Sequence, residues 1–384
     1  MMSRFWLGTA LAASLVLAAS SPSLAQDTIT IGSTSSFSGP AAFYGKHQRW
    51  GIEMAVEEIN AKGGVLGKKI EVAFEDNRCN PAEAVKAVNA LISQHNVVAI
   101  LGALCSSATL AVLPVVKRSE IPLITSSSTA ASITNQIGDT VNRWGFRSTV
   151  ADDGMAHAMV TYLKKEGVKR VSIVGEETDY GRGGAEIFTE ALTANGLELV
   201  SSDFVNPTSP DFSAIMTKLK AEKPDRVAVY FTSTPLSAFF RQYEAARLNI
   251  PGTGRLLLDV VAKSVTPEFI TAGGLDGSTG TNPYSPNIDT PENKDFVDRF
   301  IKRAGEAPNQ PSFMVYEAMH MLAKAIEASG DASPASIRDA LRKVQYKSMM
   351  GGTISFDKSH QARNNAVVTS FVNGKIVIVG LSPG

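Results

Sequence analysis

The sequence is poor in the features that define several large classes of protein. After residue 25 it has no apolar run approaching the roughly twenty residues a membrane-spanning helix needs. It has no excess of either charge, with 37 basic and 37 acidic residues and a formal net charge of +0. Neither nucleic acid nor an anionic membrane surface is favoured as a partner by such a balance. Cysteine is nearly absent, and the two that occur, Cys79 and Cys105, match no zinc spacing and no redox Cys-x-x-Cys motif. The five histidines stand singly, each more readily a surface or core residue than a ligand. There is no G-x-S-x-G elbow, no H-E-x-x-H helix and no G-x-G-x-x-G after a strand. Gly63-Gly64-Val65-Leu66-Gly67-Lys68-Lys69 has the glycines and lysine of a phosphate loop, but it sits between a helix and a strand rather than the reverse, and reads as a turn. No catalytic residue, cofactor or metal is predicted.

What is present begins with an address segment. Arg4 precedes an apolar run from Leu7 to Ala19, too short to span, and Ser23-Leu24-Ala25 is a small-x-small cleavage signal. Export with cleavage after Ala25 is expected. No cysteine follows that point to carry a lipid, so the mature protein is expected to be soluble. An oxidising compartment makes a disulfide the default reading of the two cysteines over two free thiols. Roughly 360 mature residues at 44% hydrophobic composition can bury a large core and suggest two domains.

Short β-branched runs then alternate with amphipathic helical patterns, which predicts an α/β protein with parallel sheets covered by helices on both faces. Thr28 to Gly32, Lys69 to Asp76, Val97 to Gly102 and Pro122 to Thr125 read as strands. Between them lie helices from Lys46 to Asn60, from Pro81 to Gln94 with Asn80 as N-cap, and from Ser107 to Arg118, the last with a kink expected at Pro114. A second doubly wound unit starts with a helix from Asp152 to Glu166. Strands at Arg170 to Gly175, Leu197 to Phe204 and Arg226 to Phe231 follow, alternating with helices at Gly181 to Asn195, Phe212 to Lys220 and Leu236 to Arg247. A loop is expected after Gly280, then helices from Pro291 to Ala304 and Ser312 to Ala328. The tail is β-like at Thr353 to Phe356 and Val367 to Val379, with Asn373-Gly374 as a hairpin turn.

Small hydroxyl residues cluster at two consecutive strand ends. Leu104-Cys105-Ser106-Ser107-Ala108-Thr109 opens a helix, and Thr125-Ser126-Ser127-Ser128-Thr129 follows the next strand. Ligands of open parallel sheets bind beyond the carboxyl ends of the strands, and a helix start with unpaired N–H groups and a hydroxyl suits a carboxylate. Taken singly, each run also fits a helix cap or a solvated loop.

At these residues the sequence resembles the leucine/isoleucine/valine-binding proteins, receptors of branched-chain amino-acid ABC transporters. Gly39-Pro40 with Tyr44-Gly45, Glu57-Glu58-Ile59-Asn60-Ala61-Lys62-Gly63-Gly64, the Asp76 to Pro81 segment, Leu104-Cys105-Ser106-Ser107 and Asp179-Tyr180-Gly181 carry the likeness. The resemblance implies a type I periplasmic binding fold with three crossovers between two lobes. The first would comprise residues 26–149 and 282–363, the second 150–281 and 364–384, with a Cys79–Cys105 bridge beside the site. It also implies that Ser106 and Thr129 bind a ligand carboxylate on the Leu104-Cys105 loop. The Ser127 carbonyl would accept from the ligand ammonium, Asp259 would stand where the family carries Glu, and Tyr44 and Tyr180 would close over the solute. Around Phe231 to Thr234 and Pro311 to Phe313, aromatic residues expected near the ligand are replaced or displaced. The expectation is a monomeric periplasmic receptor that hands an amino acid to a membrane permease. The alternatives are a receptor for an aromatic acid, another small carboxylate or an amide, a ligand-sensing subunit, or an enzyme with an unrecognised site.

Overall fold

The computed structural model describes residues 28–39, 41–231, 234–248, 255–258 and 276–383. The expected leader and Asp259 lie outside them.

The first unit runs β1 (Thr28–Ser35), α1 (Ala42–Ala61), β2 (Lys69–Asp76), α2 (Pro81–Ser93), β3 (Ala99–Leu101), α3 (Ser106–Ser119), β4 (Leu123–Thr125), a 3₁₀ turn (Ala131–Gln136) and β5 (Gly145–Arg147). Its five strands are parallel in the order β2-β1-β3-β4-β5. The chain then enters α4 (Asp152–Lys165), β6 (Arg170–Glu176), α5 (Asp179–Ala194), β7 (Glu198–Val205), α6 (Ser213–Glu222), β8 (Arg226–Tyr230), α7 (Thr234–Ala245), β9 (Arg255–Leu258) and β10 (Thr279–Asn282). The strands of this second unit pair in the order β7-β6-β8-β9-β10, the same winding as the first.

After β10 the chain returns to the first unit as α8 (Pro291–Ala304), α9 (Gln310–Ser329), α10 (Pro334–Leu341) and the short pair β11 (Tyr346–Lys347) and β12 (Thr353–Ile354). It ends in the second sheet as β13 (Asn365–Val372), antiparallel to β10, and β14 (Lys375–Pro383), an edge strand antiparallel to β13. The chain thus passes between the two sheets three times, after β5, after β10 and before β13.

Local chemistry explains most boundaries. The Asn80 side chain accepts from the Ala82 and Glu83 amides at 2.9 and 3.0 Å, and Pro81 opens α2 without losing a needed donor. Asn373 and Gly374 have φ of 51° and 68°, the left-handed pair of a two-residue hairpin turn. α3 runs through Pro114 without a break. Where a loop was expected after Gly280, the polar segment Thr279–Asn282 is a strand, held by partners on β9 and β13 that its own pattern does not announce.

Each sheet is covered on both faces. Ile52 and Ala55 of α1 with Phe313 and Leu322 of α9 cover one side of the first sheet, and Val88, Leu91, Val112 and Val116 of α2 and α3 cover the other. Each of these valine, leucine, isoleucine and phenylalanine side chains, fully buried, contributes about 1.5–3 kcal/mol. At Gly51 a Cβ would lie 2.3 Å from the Ser312 carbonyl, so only glycine lets α1 approach the start of α9 this closely. In the second unit α4 and α5 bury Val160, Leu163, Phe188 and Leu192, while α6 and α7 bury Met216, Leu219, Phe239 and Tyr243.

Candidate functional site

In a doubly wound sheet of this order the crevice forms where the winding reverses, beside the first strand. Here those places are the loops after β1 and β3 in one unit and after β6 and β8 in the other. They carry most of the residues singled out from the sequence.

The start of α3 is the best defined part. Cys105 holds the N-cap position in extended conformation, φ −90° and ψ 141°, with no side-chain cap bond. Ser106 is therefore the first helical residue and does not cap the helix. Its hydroxyl turns to the neighbouring loop and accepts from the Ala130 N–H at 3.3 Å. A hydroxyl that accepts in this way keeps its own proton to donate. The first-turn N–H groups of α3 have no acceptor within the helix, so an anion placed here meets a hydroxyl donor and the positive end of the helix dipole.

A buried hydroxyl cluster shapes the loop before α3. The Ala103 carbonyl is surrounded by the hydroxyls of Thr109, Thr125 and Ser128 at 3.0, 3.3 and 2.9 Å, and those of Thr109 and Ser128 lie 2.7 Å apart. Leu104 then packs on Ala41 and Tyr44 beside the cystine. The Cys79–Cys105 disulfide, Cα–Cα 5.4 Å, ties the start of α3 to the turn after β2. Asp76 organises the same corner, with its carboxylate accepting from the Phe37 and Arg78 amides at 2.9 and 3.0 Å and from the Ser38 hydroxyl. Burial opposes its ionisation, but these donors together hold its carboxyl below the ordinary value.

The second hydroxyl loop lies alongside. Ser127 Oγ accepts from Gln48 Nε2 at 2.9 Å, and the Thr129 carbonyl accepts from the Asp152 N–H at 2.9 Å. The Ala130 bond to Ser106 joins the two loops. Thr109 and Ser128, which belong to the two hydroxyl runs but were not among the expected ligand residues, and Gln48, absent from the sequence prediction, position them. Gln48 stands in no recognisable motif, and only its spatial partner reveals it.

The two predicted tyrosines occupy matching places. Tyr44 and Tyr180 lie in the first turns of α1 and α5, the helices after the first strand of each unit, and each precedes a glycine. A Cβ at Gly45 would lie 1.9 Å from the Ser36 carbonyl and one at Gly181 2.1 Å from the Glu176 carbonyl. Glycine thus lets each strand-to-helix loop fold onto its helix and presents the tyrosine beside the crevice. Tyr44 and Tyr180 are buried, the latter edge-on to Tyr230 at 5.9 Å. Thr178 caps α5 by accepting from the Gly181 amide at 3.1 Å. The two units meet where the Asp179 N–H donates to Ser107 Oγ at 3.4 Å.

Phe231 packs with Phe212 and Phe239 at 5.6 and 5.5 Å, and Phe313 stacks on Tyr284 at 3.9 Å, so both are core aromatics. Among the described residues no cluster of His, Cys, Asp and Glu could hold a metal ion, and no helix is long and apolar enough to cross a membrane.

Comparison with known proteins agrees with this architecture. A leucine-, isoleucine-, valine-, threonine- and alanine-binding protein of Pseudomonas aeruginosa is 28% identical over 359 residues, covering 92% of this chain and 92% of its own. The branched-chain amino acid transporter substrate-binding protein LivJ of Streptococcus pneumoniae, solved in complex with isoleucine, is 26% identical, with a TM-score of 0.80 over 93% of this chain and 99% of its own. A solute-binding protein of an ABC transporter from Rhodopseudomonas palustris BisB5, solved with 3,4-dihydroxybenzoic acid, superposes with a TM-score of 0.83 over 93% of this chain and 97% of its own. At 22% identity that likeness is one of fold. The family model described as periplasmic binding protein matches residues 28–375, and with its two like-wound sheets and three crossings this chain belongs to that family, in the type I fold.

Proposed function

We propose that this chain is a periplasmic solute-binding protein, not an enzyme, that captures an amino acid, branched-chain or similar, between two lobes and delivers it to an ABC transporter permease. The observation that carries the reading is the meeting of two helix N-termini, α3 with its Ser106 hydroxyl and α5 with Tyr180, at the winding reversals of two separate sheets. An anion held by α3 is then within reach of groups from the other unit. Ser106 and Thr129 receive the carboxylate, the Ser127 carbonyl and Asp259 take the ammonium, and Leu104, Cys105, Tyr44 and Tyr180 wall the solute.

The lobes are residues 26–149 with 282–363 and residues 150–281 with 364–384, hinged at the three crossings. Solute binds the first lobe and gains contacts from the second only on closure, so occupancy shifts the population to the closed form that the permease reads. Two of the named relatives, the Pseudomonas aeruginosa amino-acid-binding protein and Streptococcus pneumoniae LivJ, support the amino-acid class.

A thermal-shift screen of the twenty amino acids against benzoate derivatives tests this, since a solute at about 100 times its Kd stabilises by about 2.7 kcal/mol. Stabilisation by leucine, isoleucine or valine is expected. A shift with an aromatic acid and none with any amino acid would replace the amino-acid reading.

A further inference from the structure

Arg147, the last residue of β5, is fully buried, yet the four acceptors of its guanidinium are all neutral. One terminal nitrogen donates to the carbonyls of Ala130 and Thr129 at 2.7 and 3.3 Å. The other donates to the Thr134 hydroxyl, and Nε donates to Gln361 Oε1. A cation removed from water with neutral partners is costly, and one whose task was only to fill space would be replaced without loss by an apolar side chain.

Its partners sit at two informative places. The Thr129–Ala130 peptide is held at both ends: its carbonyl accepts from Arg147 and from the Asp152 N–H at 2.9 Å, and its N–H donates to Ser106 Oγ. Gln361 belongs to the last crossing, and there Arg147 also pairs through its backbone, its N–H donating to the His360 carbonyl at 2.9 Å and its carbonyl accepting from the Ala362 N–H at 2.8 Å. Gln361 Nε2 in turn donates to the Thr149 carbonyl on the first crossing.

We propose that Arg147 is a positioning residue for solute capture: by gripping the Thr129 and Ala130 carbonyls it fixes and polarises the peptide whose N–H rests on Ser106 Oγ, leaving the Ser106 proton for the bound carboxylate, and it ties that arrangement to two of the three crossings. Hydrogen bonds in such a series strengthen one another, so withdrawing charge from the Thr129 carbonyl makes the Ala130 N–H a better donor and the Ser106 hydroxyl a better one in turn. Burial pushes the Arg147 guanidinium down to about 10, with Asp152, Asp153 and Asp357 opposing the shift, so it stays charged at neutral pH.

The inference rests on Ser106 binding the solute, and the test separates the two. Arg147→Lys keeps the charge but cannot span the same acceptors, and Thr134→Val is a milder variant that loosens one corner of the fork. Amide exchange at Ala130, read by NMR on the unliganded protein, needs no solute. It should be about tenfold faster in Arg147→Lys and raised less in Thr134→Val, whereas unchanged exchange in both would overturn the proposal.

Affinity for L-isoleucine and for 3,4-dihydroxybenzoate is then measured by calorimetry for Arg147→Lys alone and combined with Ser106→Ala. Acting through Ser106, Arg147→Lys should weaken binding about tenfold by itself and less than about twofold in the Ser106→Ala background. Equal losses in both backgrounds would overturn the positioning role while leaving Ser106 as a ligand contact. If Ser106→Ala leaves affinity untouched, the ligand assignment fails, and with it the part of the proposal that gives Arg147 a role in capture.

Discussion

The backbone N–H of Asp179 donates to the hydroxyl of Ser107 at 3.4 Å, and these two residues stand at the starts of helices that cover different sheets. The bond can exist only while the two units are together, so it joins the units and is no part of the fold of either one alone. It also places Tyr180, the next residue, near the N-terminal end of α3.

Ser107→Ala should therefore lower solute affinity about two- to tenfold, the range for one net hydrogen bond, and leave the unliganded melting temperature unchanged. Calorimetric titration and scanning calorimetry on the same protein check this. A lower melting temperature with the affinity retained would show that the bond serves the resting fold.

Ser106→Ala removes a donor to a charged carboxylate and should weaken binding about ten- to a hundredfold. The Ala130 N–H is buried against that hydroxyl, so the unliganded protein should also lose about 1–3 kcal/mol, more than its place outside the helix cap alone would suggest. Denaturant unfolding and calorimetry measure the two effects separately. Lost stability with an unchanged Kd would leave Ser106 a structural residue.

The Cys79–Cys105 bridge spans a sequence separation of 26 residues, for which the chain-entropy model gives about 3.5 kcal/mol. Reduction should lower the melting temperature, and thiol titration of the denatured oxidised protein should find no free cysteine. Because the bridge holds the start of α3, reduction should weaken solute binding as well. Retained affinity in reduced, folded protein would argue that the hydroxyl cluster around Ala103 suffices to shape the loop.

Glu317 of α9 is fully buried, and desolvation pushes its carboxyl up to about 7 although the Met349 amide and the Ser348 hydroxyl donate to it at 2.8 and 2.9 Å. Between its ordinary value of 4.5 and about 7 the native state binds more protons than the unfolded state, so this group's contribution to stability falls as pH rises through that window. Glu317→Gln keeps an acceptor without the charge. It should match the parent protein near pH 5 and exceed it at pH 8, and melting curves across pH 5 to 8 decide. A variant less stable at pH 8 would mean that the ionised carboxylate is needed.

Much of the architecture is written locally. The strand Lys69–Asp76 and the helices α2 (Pro81–Ser93) and α8 (Pro291–Ala304) begin and end within one residue of where period, caps and prolines place them, because those signals act within a few residues. The candidate site was legible for the same reason at Ser106, Ser127 and Thr129: hydroxyl residues in the loop after a strand fall at the carboxyl edge of a parallel sheet wherever that sheet goes. The short strands Gly145–Arg147 and Thr279–Asn282 escaped, since three or four residues carry no measurable alternation and their pairing comes from neighbouring strands.

What the sequence by itself determined is most of the longer elements, the doubly wound α/β character of each unit and the hydroxyl residues offered at the strand ends. What only the tertiary structure decided is which groups meet there. Gln48 reaches Ser127 across 79 residues, Asp179 reaches Ser107 across 72, and Arg147 joins Gln361 across 214. The first forms within one unit, where α1 covers the sheet, and the other two form because the chain crosses between the sheets; hydrogen bonds act over a few ångströms of space whatever the distance along the chain. No local pattern encodes such a meeting, so the residues that tie these loops together, Arg147 foremost, became visible only once the sheets were assembled.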